Sequence, residues 1–325
     1  MKPTKIEYTK NATSFEQQID ILKHRGVIIT DEKKAKEYLS DIGYYHLGFY
    51  FHPFEISYPE LESKRKHNLR QDTRIEDVVA LYYFDFDLRN IINRYVSRIE
   101  ISIRTTMIYR LSNKYHSDST WFVNPNIVSW DFISKFPSQA YLSIKKKGPI
   151  KRHHKKYIGV YAPAWKSIEY MTLGNLEILY DSLLLDSDKR MISLHYGEPA
   201  IGTFKSYLTT IREVRNICAH GSFLFGMKLT KGIRSGMACR TFPNKSQQSF
   251  HKSQQSFQGA LYVIDYLLKT VSKNRAQDMW NDIFVITKRL YSKAPKTQTI
   301  IEKLTGIILP ENFPENESFA NTFRD

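Results

Sequence analysis

The sequence predicts an all-α fold, and three observations carry that expectation. Apolar positions recur at helical spacing from Ile75 to about Asn113. Ser, Thr and Asp stand where helices should begin, and glycines where they should end. Strand signals are scarce, with YIGVY (157–161) the one fair candidate.

The elements follow in order. Ser14 and Gln17 form a capping box before FEQQIDILKHRG, which Gly26 ends. Thr30 or Asp31 caps EKKAKEYLSDIG, ending at Gly43. The aromatic segment 44–54 predicts a short buried helix stopped near Pro53, and 55–71 a loop. Thr73 and Glu76 make a second capping box, opening one long helix or two abutting ones with Val78, Val79, Tyr82, Ile92, Ile99, Ile103 and Met107 on the apolar side. Residues 114–160 read as irregular, and Pro163 can open a helix. Further helices are expected over 175–185, 188–196, 200–219, 259–273, 275–291 and 298–306, with 222–257 loop-like. KSQQSF occurs at 245–250 and again at 252–257; its period is too short and polar for a solenoid, and it reads as a duplicated surface loop.

Composition narrows the function classes. The chain has 325 residues, 42% apolar and 25% charged, which suits a globular protein and excludes collagen-like or disordered chains. Two cysteines, Cys218 and Cys239, exclude a disulfide scaffold. The N-terminus shows no apolar signal region, and the longest apolar run is broken by Asp85 and Asp87. The expectation is a cytoplasmic protein with no membrane partner. The net charge is +15, and it is segregated. Residues 132–168 hold nine Lys or Arg and no acid, and residues 214–264 hold seven and no acid, so the rest of the chain is close to neutral. Clustered cations of this kind neutralise phosphates and release counterions, so a nucleic acid partner is expected over a merely solvated face. The densest run, KKKGPIKRHHKK, offers Lys145, Lys146, Lys147, Lys151, Arg152, Lys155 and Lys156 to phosphates, flanked by Tyr141 and Tyr157 for stacking on bases. Its two histidines lack accompanying Cys or carboxylates, so no metal is expected there, and no cofactor motif is present elsewhere.

Chemistry concentrates in TTIREVRNICAHGSFLFG (209–226), which places Arg215, Asn216 and His220 at the end of a helix. Five residues turn a regular helix by about 500°, so Arg215 and His220 meet only if the helix opens near Ala219. Together they would suit metal-free RNA cleavage. An imidazole moves the 2′-hydroxyl or leaving-group proton, a guanidinium holds the phosphoryl oxygens, and the amide orients either. On the residues alone, an ion pair for Arg215 and a C-terminal cap for His220 remain open. Glu100 and Arg104 share one helix face. Either Glu100 holds Arg215 in place, or the two form an internal pair.

RNICAHGSFLF resembles the Arg-x4-His motif of HEPN ribonucleases, in the form found in the Abi_2 group of bacterial abortive-infection proteins. The resemblance extends to QIDILKHRGVIITDEKKAKEYLSDIGYYHLGFYFHPF (18–54), FDFDLRNIINRYVSRIEISIRTTMIYRLSNKY (84–115) and APAWKSIEYMTLGNLEILYDSL (162–183). It implies a HEPN-type helical bundle with additional N-terminal and C-terminal helices. It also implies antiphage defence, with RNA as substrate or as a bound small regulatory RNA. Arg215, Asn216 and His220 take the catalytic positions, and motifs acting in pairs imply a homodimer, with Phe223, Leu224 and Phe225 as its apolar centre. The alternative is a non-catalytic protein that holds a structured RNA in the same cleft. The organisation expected is an N-terminal region 1–71, a HEPN-like domain 72–310 containing basic loops 132–168 and 222–257, and a tail 311–325. The group often has a basic residue where this chain has Phe223, and Asn where it has Gly226 and Gly43.

Overall fold

A computed structural model describes residues 7, 9, 11–59, 65–241 and 253–311. Among them the chain is all-α, with isolated bridges in place of strands. The first copy of KSQQSF, the Lys252 opening the second, and residues 312–325 of the expected tail lie outside the described residues. No described helix is long and apolar enough to cross a membrane. The described residues form two compact units, one from those within 1–86 and 286–302, the other from those within 87–285 and 303–311.

In the first unit, α1 (Phe15–His24) starts at the expected capping box, with Ser14 and Gln17 each bonded to the other's backbone. The Asp31 carboxylate accepts from the Lys34 backbone N–H at the start of α2 (Glu32–Ile42), settling the choice between Thr30 and Asp31. The aromatic segment becomes α3 (Tyr44–Phe51) and a single tight turn through Phe54. It is only half buried: Tyr50 and Phe51 face the core while Tyr45 and Phe49 face out. The Tyr50 hydroxyl donates to buried Asp85 at 2.8 Å. The expected Thr73 cap does not form. Arg74 pairs with Ile28, and the Thr73 hydroxyl donates instead to the Arg70 carbonyl, so α4 (Ile75–Lys114) begins at Ile75. Buried Glu55 accepts from Arg65 and sits beside His67. Burial alone would raise its pKa, yet the Arg65 and His67 interactions hold it below the usual carboxylate range.

The forty-residue α4 is one helix. Within the second unit its buried stripe runs Leu88, Ile92, Val96, Ile99, Ile103, Met107, Leu111, spaced by three or four. Residues 114–160 are not irregular. They fold into a helical turn at Trp121–Val123, α5 (Trp130–Phe136), two further short helical turns, and α6 (Gly148–Lys156). Short α7 (Ala164–Ser167) follows Pro163. YIGVY is an exposed connection, not a strand. Then come α8 (Leu173–Ser182), α9 (Asp186–His195), α10 (Ile201–His220) and α11 (Met237–Thr241). The chain closes with α12 (Phe257–Val271), α13 (Lys273–Lys293) and α14 (Gln298–Thr305). Helix α12 is buried on nearly every side, as a helix apolar all round must be, and packs against α10 and α11. Buried Glu198 ties this layer together, accepting from the Tyr207 hydroxyl and the Ala200 and Met237 backbone N–H groups. A side chain at Gly236 would strike that carboxylate at 2.5 Å.

Candidate functional site

The site is built on the last two turns of α10. Its inner face, Phe204, Tyr207, Leu208, Ile211 and Val214, is buried and fixes the helix on its neighbours. Gly221 stops the helix in the left-handed conformation at φ 69°, where a side chain would be strained. Its neighbour Ser222 donates back to the Ile217 carbonyl at 3.1 Å, and Gly221 to Cys218 at 3.5 Å, the pairing that satisfies the final carbonyls. The helix therefore runs unbroken through His220 and does not open near Ala219. Arg215 and His220 of one chain project about 140° apart, separated by about 7.5 Å along the axis. The structure brings Arg215 to Asn216 at 3.3 Å and does not bring it to His220.

Two arginines near the end of α10 have different fates. Arg212 donates to Glu177 on α8 at 2.5 Å, with Glu213 beside it at 3.9 Å, so its charge is matched. Among the described residues Arg215 takes no carboxylate partner; its bond goes to the neutral Asn216. Arg215 and Asn216 are half-buried, while His220 is exposed and its imidazole has no hydrogen-bond partner among the described residues. The arrangement offers an unmatched cation, an amide that fixes it, and an imidazole open to solvent. Glu100 pairs with Arg104 at 2.8 Å, within α4, and Arg104 also donates to the Met171 carbonyl at 3.0 Å. The structure joins these two to each other and not to Arg215. Cys218 is half-buried, and burial pushes the Cys239 thiol up.

Sequence reasoning missed Arg89. It is buried on α4 and donates to the Ser222 carbonyl at 3.3 Å, two residues past His220. The signal was present: Arg89 falls in step with Ile92 and Val96, and a cation in an apolar stripe needs a partner.

Beyond Gly221 the chain turns inward. Leu224 and Phe225 are fully buried, so they belong to the chain's own core and are not the apolar centre of a contact between copies. Phe223 is half-buried against Phe225, ring centroids 4.4 Å apart. A Cβ at Gly226 would fall 2.0 Å from a Phe223 ring carbon. The two departures from the Abi_2 pattern after His220 are thus one packing arrangement.

The basic run is not a loop but mainly the helix α6, with Pro149 in its first turn and Ile150 as its buried anchor. Lys145, Lys146, Lys147, Lys151, Arg152, Lys155 and Lys156 are all exposed. Lys155 and Lys156 sit in the last turn, where the helix dipole favours cations. His154 is held at 2.8 Å from the Tyr141 hydroxyl, which also accepts from the Ala162 backbone N–H at 2.7 Å.

Fold and site define an all-α protein with a half-buried Arg–Asn pair and an exposed His at one helix end and a separate basic helix. It belongs to the Abi-like family, Abi_2, whose model matches residues 37–226, and is thereby an abortive-infection protein. No curated protein and no solved structure matches the chain.

Proposed function

We propose that this abortive-infection protein acts on RNA as a metal-independent endoribonuclease of the HEPN type. The observation that supports it is the state of Arg215: Arg212, one turn earlier, is matched by Glu177, while Arg215 is held by Asn216 and keeps its charge for a phosphate. In this reading Arg215 stabilises the phosphoryl oxygens as charge builds, Asn216 holds the guanidinium, and His220 moves the proton of the 2′-hydroxyl or of the leaving 5′-oxygen. The exposed cations of α6 and the turn before it gather the RNA. Glu100 and Arg104 act as an internal pair that steadies α4 beside Met171.

One observation favours a second reading, a non-catalytic protein holding a structured RNA. Unbroken α10 keeps Arg215 and His220 of one chain apart. The two readings differ in a single assay. A labelled RNA pool is incubated in EDTA with wild type, Arg215→Ala and His220→Ala. The nuclease reading expects cleavage by wild type and a loss of roughly 10²–10⁴-fold in each variant. Tight RNA binding without cleavage, unchanged by His220→Ala, establishes the second.

A further inference from the structure

Where α6 ends, the chain forms a cavity of about 540 Å³. It is lined by Ser119, Thr120, His153, Tyr157, Trp165 and Lys166, together with the 158–161 connection. Three features set it apart from an ordinary surface cleft. Large aromatic surface stands open beside it: Tyr157 is 51% exposed and Trp165 50%. The His153 and Tyr157 rings are adjacent and tilted, 4.9 Å between centroids with a 31° interplanar angle. The Nδ1 of His153 is buried and has no hydrogen-bond partner among the described residues.

The cavity's lining includes a lysine and no acid. Lys166 lines the cavity, Lys156 lies over the Tyr157 ring at 5.4 Å, and Lys155 is exposed one residue earlier. No acid occurs from 132 to 168, and nearby Asp118 is occupied by Thr120 and Asn124. Burial, with Lys166 and His154 nearby, lowers the His153 pKa and so disfavours its charged form. Hydrogen bonds hold the chain around the cavity. Tyr141, locked to Ala162 and His154, fixes one end of the connection. Just past Ala162, the Ala164 backbone donates to the Ser119 carbonyl at 2.7 Å.

We propose that this cavity takes one unpaired nucleobase of an RNA strand, stacked among Tyr157, Trp165 and His153, with its phosphate on Lys166 and Lys156. Aromatic faces accept any base, and flanking cations track the backbone, which is how single strands are held without strict sequence preference. The site is separate from Arg215 and His220, and it rests on the reading of RNA as partner. It makes the protein distinguish unpaired from paired RNA, because a base inside a duplex cannot enter.

The test measures binding by fluorescence anisotropy, using a mixed-sequence 12-nucleotide RNA, the same strand in a duplex, and AMP as competitor. Tyr157→Ala and Trp165→Ala are expected to weaken single-strand binding about tenfold each and duplex binding little, while Tyr157→Phe and Trp165→Phe stay near wild type. Both positions are half-exposed, so the variants fold, which circular dichroism checks. Lys166→Gln should lower the salt slope by about 0.7 on the single strand. Equal losses on strand and duplex, or no loss, overturn the pocket while leaving RNA binding intact. AMP binding as tightly as the strand assigns the cavity to a free nucleotide and overturns the proposal. A wild-type chain that binds neither RNA overturns the pocket and the RNA reading together.

Discussion

Substituting Gly226 by Asn, the residue common at that place in the Abi_2 group, should destabilise this chain, and removing the Phe223 ring should rescue it. The new Cβ would fall 2.0, 2.7 and 2.8 Å from three carbons of Phe223. Carbon pairs are most stable at about 3.5–4.0 Å, so the ring must leave its place. Leaving it forfeits the edge-to-face contact with Phe225, worth about 0.5–1.5 kcal/mol. With the displacement of neighbours, the expected cost is about 1–3 kcal/mol, as for other overpacked sites. Phe223→Ala alone should cost about 1 kcal/mol for the same lost contact. In the double variant the Asn enters open space, so the cost should fall short of the sum by about 1 kcal/mol or more. Urea denaturation of the four proteins, followed by circular dichroism, measures the coupling. Additive effects, or a Gly226→Asn variant as stable as wild type, would refute the packing account.

Three further outcomes are expected. Arg215→Ala and His220→Ala should retain wild-type melting temperatures, because neither side chain belongs to the core; early melting of His220→Ala would show a structural cap instead. Neutralising Lys145, Lys146, Lys147, Lys151 and Arg152 should weaken RNA binding broadly and reduce the salt slope by about 0.7–0.9 per lost phosphate contact, and an unchanged slope would show that α6 does not touch RNA. Glu55 has a folded pKa below its unfolded value near 4.3, so its contribution is present above that pH and disappears as the pH falls through the folded value. The gap in melting temperature between wild type and Glu55→Gln should therefore be widest near pH 7 and close towards pH 3; a constant gap would remove the ionised carboxylate from the explanation.

What the sequence made legible was local. The Ser14 box, the Asp31 cap and the Gly221 stop depend on residues within a turn of one another, and each forms as its side-chain chemistry dictates. The Thr73 cap fails for a distant reason: Ile28 captures the backbone around Arg74. The basic run looked irregular because like charges four apart oppose a helix, but buried Ile150 and the first-turn Pro149 decide otherwise. Phe223, Leu224 and Phe225 read as a surface cluster because nothing local says that two of the three return to the core. Within the site, the motif residues were legible and their partners were not. Glu177 chooses Arg212 over Arg215 from thirty-five positions away, and that choice is what leaves Arg215 unmatched.

The unbroken end of α10 moves the catalytic question from one chain to two. Transesterification needs an imidazole to move the 2′-hydroxyl or leaving-group proton and a cation on the same phosphate to hold its oxygens as charge builds. One chain carries a single Arg-x4-His motif with Asn after the Arg, since Met191 follows Arg in Arg190–His195, and its cation and imidazole lie on different faces. A two-fold axis beside Gly221 would set Arg215 of one copy near His220 of the other, twice over. Leu224 and Phe225 are committed to the core, so such a contact would be largely polar and sensitive to salt. The consequence is a complementation that a one-chain site forbids. Homodimers of Arg215→Ala lack every guanidinium, and homodimers of His220→Ala lack every imidazole. A mixed dimer keeps one complete pair, Arg215 from the His220→Ala chain and His220 from the Arg215→Ala chain. Equal mixing makes about half the dimers mixed, each with one of two pairs intact, so about a quarter of wild-type cleavage should return. Native mass measurement on differently tagged chains confirms that mixed dimers form. If they form and cleavage stays absent, Arg215 and His220 must act from the same chain, and a strictly monomeric active protein would dispose of the two-chain site altogether.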